Sequence, residues 1–167
     1  GAAYLMAQNG VYVPAVKFEF SPVDYIGTHF PADENKTMDL GRLGEEAERF
    51  RELYRNSTSN SILLLNESFS TTSFEEGYYI ARDAVRALCE RGISCIYNTH
   101  LHKLALDLED INCQITSPDR IASLTAESSQ GTRSYRIIAS PPQGTSFARD
   151  IAVKYGVTFE QLMEDQK

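Results

Sequence analysis

Between Ser61 and Tyr97 the chain reads as an apolar run, an amphipathic helix and a second apolar run, an order that few folds accept. "SILLL" (61–65) is short and wholly apolar, as expected of a strand in the middle of a parallel sheet covered on both faces. "ISCIY" (93–97) predicts a second buried strand. Between them Phe74, Tyr78, Ala81, Val85 and Leu88 fall on one side of a helix. Ser73 and Glu76 form an S-x-x-E capping box at its start, and Gly92 ends it. Strand, helix, strand is a βαβ unit, which is right-handed in nearly all cases and brings the C-terminal ends of both strands to one sheet edge. Ligands of open α/β folds bind along that edge. Asn66-Glu67 and Thr99-His100 are therefore expected to face one crevice.

The flanking sequence extends this pattern. "AAYLMAQNG" reads as the last turns of a helix ended by Asn9-Gly10; it has no N-cap, so the chain is expected to be a piece excised from something longer. "VKFEF" alternates like a half-buried strand, and "VDYIGTH" predicts another. "PADENKTMD" is a polar loop, with His29 beside it read as a loop residue. From Leu40 to Tyr54, Leu43, Ala47, Phe50, Leu53 and Tyr54 fit one buried helical stripe. "RIASLTAE" and "RSYRIIAS", joined across "SSQGT", predict a β-hairpin. The tail from about Ser146 reads as two short helices split at Gly156, the second capped by Thr158 and Gln161. No repeat or long linker divides the chain, so residues 1–167 are expected to form a single domain.

Charge and cysteine usage narrow the function. A formal net charge of −7 argues against a free-standing, phosphate-coating nucleic-acid binder, though not against a domain attached to a larger DNA-binding protein. The three cysteines form no CxxC pair, and two lie in apolar segments, as small buried thiols of a reducing cytoplasm do. No apolar run approaches the ~20 residues of a membrane span.

A carboxylate at the tip of a buried parallel strand, with a histidine on the neighbouring tip, suits phosphate-ester hydrolysis. Glu67 would orient the attacking water and His100 would steady the terminal phosphate. Asn66 stands where a metal-handling site usually has a second acid; it can accept a bond from a Mg²⁺-bound water but brings no charge. Taken alone, such a glutamate is more often a solvated loop or helix-capping residue, and such a histidine more often a hydrogen-bonded structural one. Ser68, Ser70 and Ser73 lie in no G-x-S-x-G elbow, and His100 with His102 makes only a bare H-x-H pair.

Several motifs in order then add a family resemblance. "LLLNESFSTTSFEEG" followed by "RGISCIYNTHLHKLA" resembles the ATPase domain of the MutS family of DNA mismatch-repair proteins. There a hydrophobic Walker B strand ends in Asp-Glu, passes through a G-T-S loop to an acidic-Gly helix start, and is followed by T-H-x-x-E-L. "YLMAQNGVYVPAVKFEFSPVDYIGT" and "GTSFARDIAVKYGV" resemble the family's segments after the phosphate-binding loop and near the C-terminus. The resemblance implies an α/β P-loop NTPase of the ABC-ATPase-like, three-layer kind, with a mainly parallel central sheet plus a β-hairpin. It implies ATP and Mg²⁺ as ligands, DNA bound through other domains, a homodimer with composite nucleotide sites, and a cytoplasmic setting without membrane attachment.

By the same resemblance Glu67 is the water-polarising carboxylate, His100 the switch histidine and Asn66 the counterpart of the Mg²⁺-linked Asp. Thr72 and Ser73 match the dimer-crossing loop, Gly77 the glycine at the helix start, Gly41-Arg42 the signature segment that approaches the partner's nucleotide, and Glu48 an acid just beyond it. The departures are equally specific. The chain has no G-x-x-x-x-G-K-[ST] and no Gly-Lys, and the resemblance places that loop just upstream, so the fold is expected to be truncated before the first nucleotide-binding loop. Leu43-Gly44 replaces the expected Ser-Thr, and Phe69 and Thr71 replace loop glycines. Two readings follow: a slow ATPase of a DNA-transaction protein, or a degenerate ATPase fold kept for dimerisation or interaction.

Overall fold

The computed structural model describes residues 1–31, 41–129, 132–141 and 152–164. Contacts within the chain gather it into two compact units, Gly1–Ser123 and Leu124–Lys167.

The first unit is α/β. It opens with helix α1 (Ala2–Gln8), ended at Asn9-Gly10 as the sequence predicts. Strands β1 (Tyr25–His29), β2 (Ser61–Asn66) and β3 (Ser94–Asn98) form a parallel sheet in the order β1-β2-β3, with Thr28 beside Leu64 and Leu64 beside Ile96. Helices α2 (Gly41–Asn56) and α3 (Phe74–Glu90) are the crossovers. Strand order follows chain order, so crossovers of one hand place both helices on one face. The burial agrees: Leu53 of α2 and Leu88 of α3 close over Leu63 and Leu65 of β2.

That arrangement corrects part of the sequence reading. β2 is central and parallel on both sides as expected, but its burial alternates: Leu63 and Leu65 are buried, whereas Ile62 and Leu64 are only half-buried. "ISCIY" is an edge strand of the described sheet, with Cys95 and Tyr97 turned inward and Ile96 exposed. "VKFEF" forms no strand. Its alternation serves packing instead, because Phe18 and Phe20 set their rings edge-on to Tyr4 of α1, at 6.1 and 5.6 Å. The α2 stripe is turned slightly from the expected one: Ala47 is exposed and Glu46 is buried. Phe74, in the first turn of α3, is likewise exposed.

At the start of α3 the Ser73 hydroxyl accepts the Glu76 N–H at 3.4 Å, which is the predicted cap. Thr72 donates to the Glu76 carboxylate, and that bond heads the causes holding the carboxyl below its usual range. At the far end Gly92 takes φ +67°, a left-handed conformation that costs glycine least. Arg91 beside it donates to Tyr54 O and Ser57 O, both at 2.8 Å, with its guanidinium over the Tyr54 ring.

Two further helices, α4 (His102–Leu106) and α5 (Leu108–Cys113), fall where the sequence pattern assigns no element. At five and six residues they are too short to show a period. Their Leu104 and Ile111 bury in a second core with Ala81, Val85 and Phe69. Of the three cysteines, all free thiols, Cys89 is buried, Cys95 half-buried and Cys113 exposed. Burial pushes the Cys95 thiol up to about 12, so it behaves as a neutral packing group.

The second unit holds the predicted hairpin, β4 (Leu124–Ser129) with β5 (Thr132–Ala139), antiparallel and bulged between Ala126 and Ser128. Of the two tail helices, the described residues include a helical turn at 152–154 and α6 (Phe159–Glu164), separated at Gly156. Thr158 Oγ1 accepts the Gln161 N–H and donates to Gln161 Oε1, as the capping reading requires. Residues 32–40 and 142–151, where the polar loop and the start of the tail were expected, lie outside the described residues. Among the described residues no helix is long and apolar enough to cross a membrane.

Candidate functional site

Parallel pairing of β2 with β3 sets Asn66 opposite Asn98, and the ladder continues one residue further through Glu67 N–H to Asn98 O at 2.8 Å. The two strand tips therefore deliver their side chains to one place, as the sheet-edge argument expects. Glu67 receives the His100 backbone N–H on Oε2 at 3.3 Å, and His100 Nε2 lies 3.4 Å from Oε1. The carboxylate is mostly covered and the imidazole is largely in solvent, with side-chain exposures of 20% and 91%. A carboxylate held from below beside a free-standing ring can orient a water while the ring meets an approaching phosphate.

Asn66 is tied differently from the expectation of an open metal-side group. Its Oδ1 accepts the Asn98 side-chain N–H at 2.7 Å, so its amide oxygen is shared with a neighbour that the sequence reading does not single out. Thr72 and Ser73 serve Glu76 and the α3 cap, while Ser73 stays exposed. Gly41 and Arg42 open α2, exposed, following β1 in the crossover. Antiparallel to the strands, that helix begins at the edge where the strands end. Glu48, the acid matched by resemblance, is exposed on α2; the buried acid of that helix is Glu46. Glu46 Oε2 accepts the Thr71 hydroxyl at 2.9 Å, which ties α2 to the loop beyond β2.

Beneath the loop the structure corrects the reading of His29. It is no loop residue but the last residue of β1, 1% exposed. Its Nε2 faces the backbone carbonyl of Glu46 at 3.1 Å, and its Nδ1 faces Ser68 Oγ at 2.7 Å. A carbonyl only accepts, so Nε2 carries the proton and Nδ1 accepts the serine hydroxyl. Burial lowers the His29 pKa, opposed by the Glu46 carbonyl and aided by the nearby Arg49 charge, so the ring stays neutral. Tyr97 donates its hydroxyl to Ser68 O at 2.5 Å, and burial raises that phenol's pKa well above its usual value. Applying the sheet-edge rule to β1 as well as to β2 and β3 is the signal that finds His29 in the sequence.

The turn these groups hold is strained. Glu67 and Phe69 take φ +51° and +65°, the only non-glycine residues at positive φ among those described, at a cost of about 1 kcal/mol or more each. Phe69 offsets its share by burial, with its ring 5.4 Å from Phe50 and 5.8 Å from His29. A left-handed backbone is what glycine supplies most readily, and the resemblance places a glycine at this position. Gly77 lets α3 approach: a Cβ there would lie 2.5 Å from the Phe69 carbonyl oxygen.

The chain is similar in sequence to known proteins. The family model described as MutS domain V matches residues 1–157. The Endonuclease MutS2 of Thermus thermophilus is 33% identical over 104 residues, covering 62% of this chain and 14% of that protein. The DNA mismatch repair protein MutS of Chlorobium phaeobacteroides is 34% identical over 106 residues, 63% of this chain and 12% of its own length. That of Chlorobium phaeovibrioides is 29% identical over 166 residues, 90% of this chain and 19% of its own. The chain thus spans less than a fifth of the length of these relatives. It belongs to the MutS family, as its domain V.

Proposed function

We propose that the chain is the larger part of the ATPase domain of a MutS-related DNA mismatch-repair or DNA-transaction protein, with Glu67 orienting the water that attacks ATP. The observation that carries this reading is the convergence of Glu67 and His100 at neighbouring parallel strand tips. In such a site the covered Glu67 carboxylate holds the water and accepts its proton's hydrogen bond as it attacks. His100, its exposed ring paired with Glu67 at 3.4 Å, would meet the terminal phosphate from solvent. The parallel three-stranded sheet with crossover helices is compatible with an ABC-type P-loop NTPase fold. The family match, running from residue 1 to 157 across both compact units, supports one domain.

Mg²⁺ would arrive with the nucleotide, where it neutralises phosphate charge. Among the described residues no group of three His, Cys, Asp or Glu side chains can hold a metal ion. Asn66 and Asn98 offer amide groups suited only to the ion's water shell, so retention of the ion rests on the phosphates. In a composite homodimer site the exposed Gly41, Arg42 and Ser73, with half-buried Thr72, would be the positions facing a second copy. DNA would be gripped by other domains, consistent with the charge of −7, in a cytoplasmic protein.

A second reading is favoured by Asn66: a degenerate ATPase fold retained for dimerisation or interaction. Mg·ATP binding and hydrolysis by the full-length protein, wild type against Asn66→Asp, separate the two. Slow wild-type turnover that rises modestly in Asn66→Asp supports the ATPase. Turnover appearing only in Asn66→Asp assigns the native domain to the second reading.

A further inference from the structure

We propose that His29, Ser68 and Tyr97 form an internal clamp that positions the Glu67 carboxylate, an inference that rests on the reading of Glu67 as the water-orienting group. Glu67 and Phe69 both sit in the left-handed region, and Ser68 is the residue between them. A turn with two such residues persists only where its surroundings over-determine it. Ser68 is 1% exposed, and its hydroxyl and its carbonyl each have a partner from another strand. Its hydroxyl donates to His29 Nδ1 of β1, and its carbonyl accepts the Tyr97 hydroxyl of β3.

The neighbours of the turn complete the enclosure. Glu67 N–H is held by Asn98 O, and the turn closes through Ser70 N–H to Glu67 O at 3.2 Å. His29 is fixed in turn, because its Nε2–H is spent on Glu46 O and its ring packs against both Phe50 and Phe69. All three strands thus meet on Ser68, one residue from the carboxylate. Removing the Ser68 hydroxyl frees one side of the turn and leaves a bare nitrogen buried on His29. The backbone of Glu67 can then relax toward ordinary φ, carrying the carboxylate away from His100. His29, Ser68 and Tyr97 touch no substrate in this account; they are positioning residues.

The test uses the full-length protein with Ser68→Ala, Tyr97→Phe and, as control, Glu67→Gln. Steady-state ATP hydrolysis is measured alongside amide hydrogen exchange over residues 61–70. The clamp predicts that Ser68→Ala lowers kcat about tenfold or more while the KM for ATP stays within about twofold, since misplacement acts on the chemical step. It also predicts that Glu67 and Ser70 amides exchange about tenfold faster while Leu63 and Leu65 keep their protection. Tyr97→Phe should move both readouts the same way. Wild-type kcat in Ser68→Ala, with Glu67→Gln inactive, overturns the clamp and leaves the ATPase reading standing. Full turnover in Glu67→Gln overturns that reading instead, and exchange alone then decides: faster exchange at Glu67 upholds the clamp, and unchanged exchange overturns it.

Discussion

His100 meets Glu67 twice, through its backbone N–H at 3.3 Å and its ring Nε2 at 3.4 Å, and the two contacts have different consequences. The first belongs to the backbone and survives any substitution but proline. The second is a solvent-exposed pair and adds little to folding. His100→Ala should therefore change the free energy of unfolding by less than about 0.5 kcal/mol. It should lower ATP turnover about 100-fold if the ring serves the phosphate as proposed. Urea denaturation and steady-state hydrolysis check the two halves separately, and a large stability loss with full activity would reverse the assignment.

Gly77 gives a prediction of opposite sign to helix propensity. Alanine is a better helix former than glycine by about 1 kcal/mol. Here, however, the new Cβ would meet the Phe69 carbonyl oxygen at 2.5 Å, and a backbone atom cannot rotate away. Gly77→Ala should destabilise the domain by about 1–3 kcal/mol through overpacking. A raised Tm for this variant would show that α3 can shift from the turn at no cost.

The buried His29 makes stability pH-dependent. Its pKa is lowered from the ordinary 6.5, so the unfolded chain takes up a proton that the folded ring refuses. Stability from this group is complete above pH 6.5 and is lost as pH falls through the window between that value and the folded one. Glu46 and Arg49 of α2 are the charged neighbours on its packing side, and Arg49 works in the same direction. Denaturant titrations at descending pH should show wild type losing stability below pH 6.5, with the loss reduced in His29→Gln. Parallel curves for the two proteins would remove His29 as the cause.

Much of the site was legible because its geometry follows from strand order. A wholly apolar strand, a capped amphipathic helix and a second apolar strand define a parallel pair, and a parallel pair brings Glu67 and His100 together whatever the loops do. Burial was less legible, because the apolar content of "ISCIY" does not say whether a strand lies on its far side. "VKFEF" misled for a related reason: a period of two also fits aromatic side chains gathering on the Tyr4 ring. His29 was hidden because a histidine before Phe30-Pro31 carries a loop signal, and only the pairing of β1 with β2 places it under Ser68. The left-handed Phe69 left no trace in composition; the replacement of a family glycine was its one sign.

Glu67 is the residue on which the proposed hydrolysis depends most directly. Comparing ATP hydrolysis and Mg·ATP binding of the full-length wild type with Glu67→Gln isolates its carboxylate, since glutamine keeps the shape and the hydrogen-bonding reach. The prediction is that binding stays within about twofold while turnover falls by about 100-fold or more, to background. Equal hydrolysis rates for the two proteins would contradict the assignment of Glu67 as the residue that orients the attacking water.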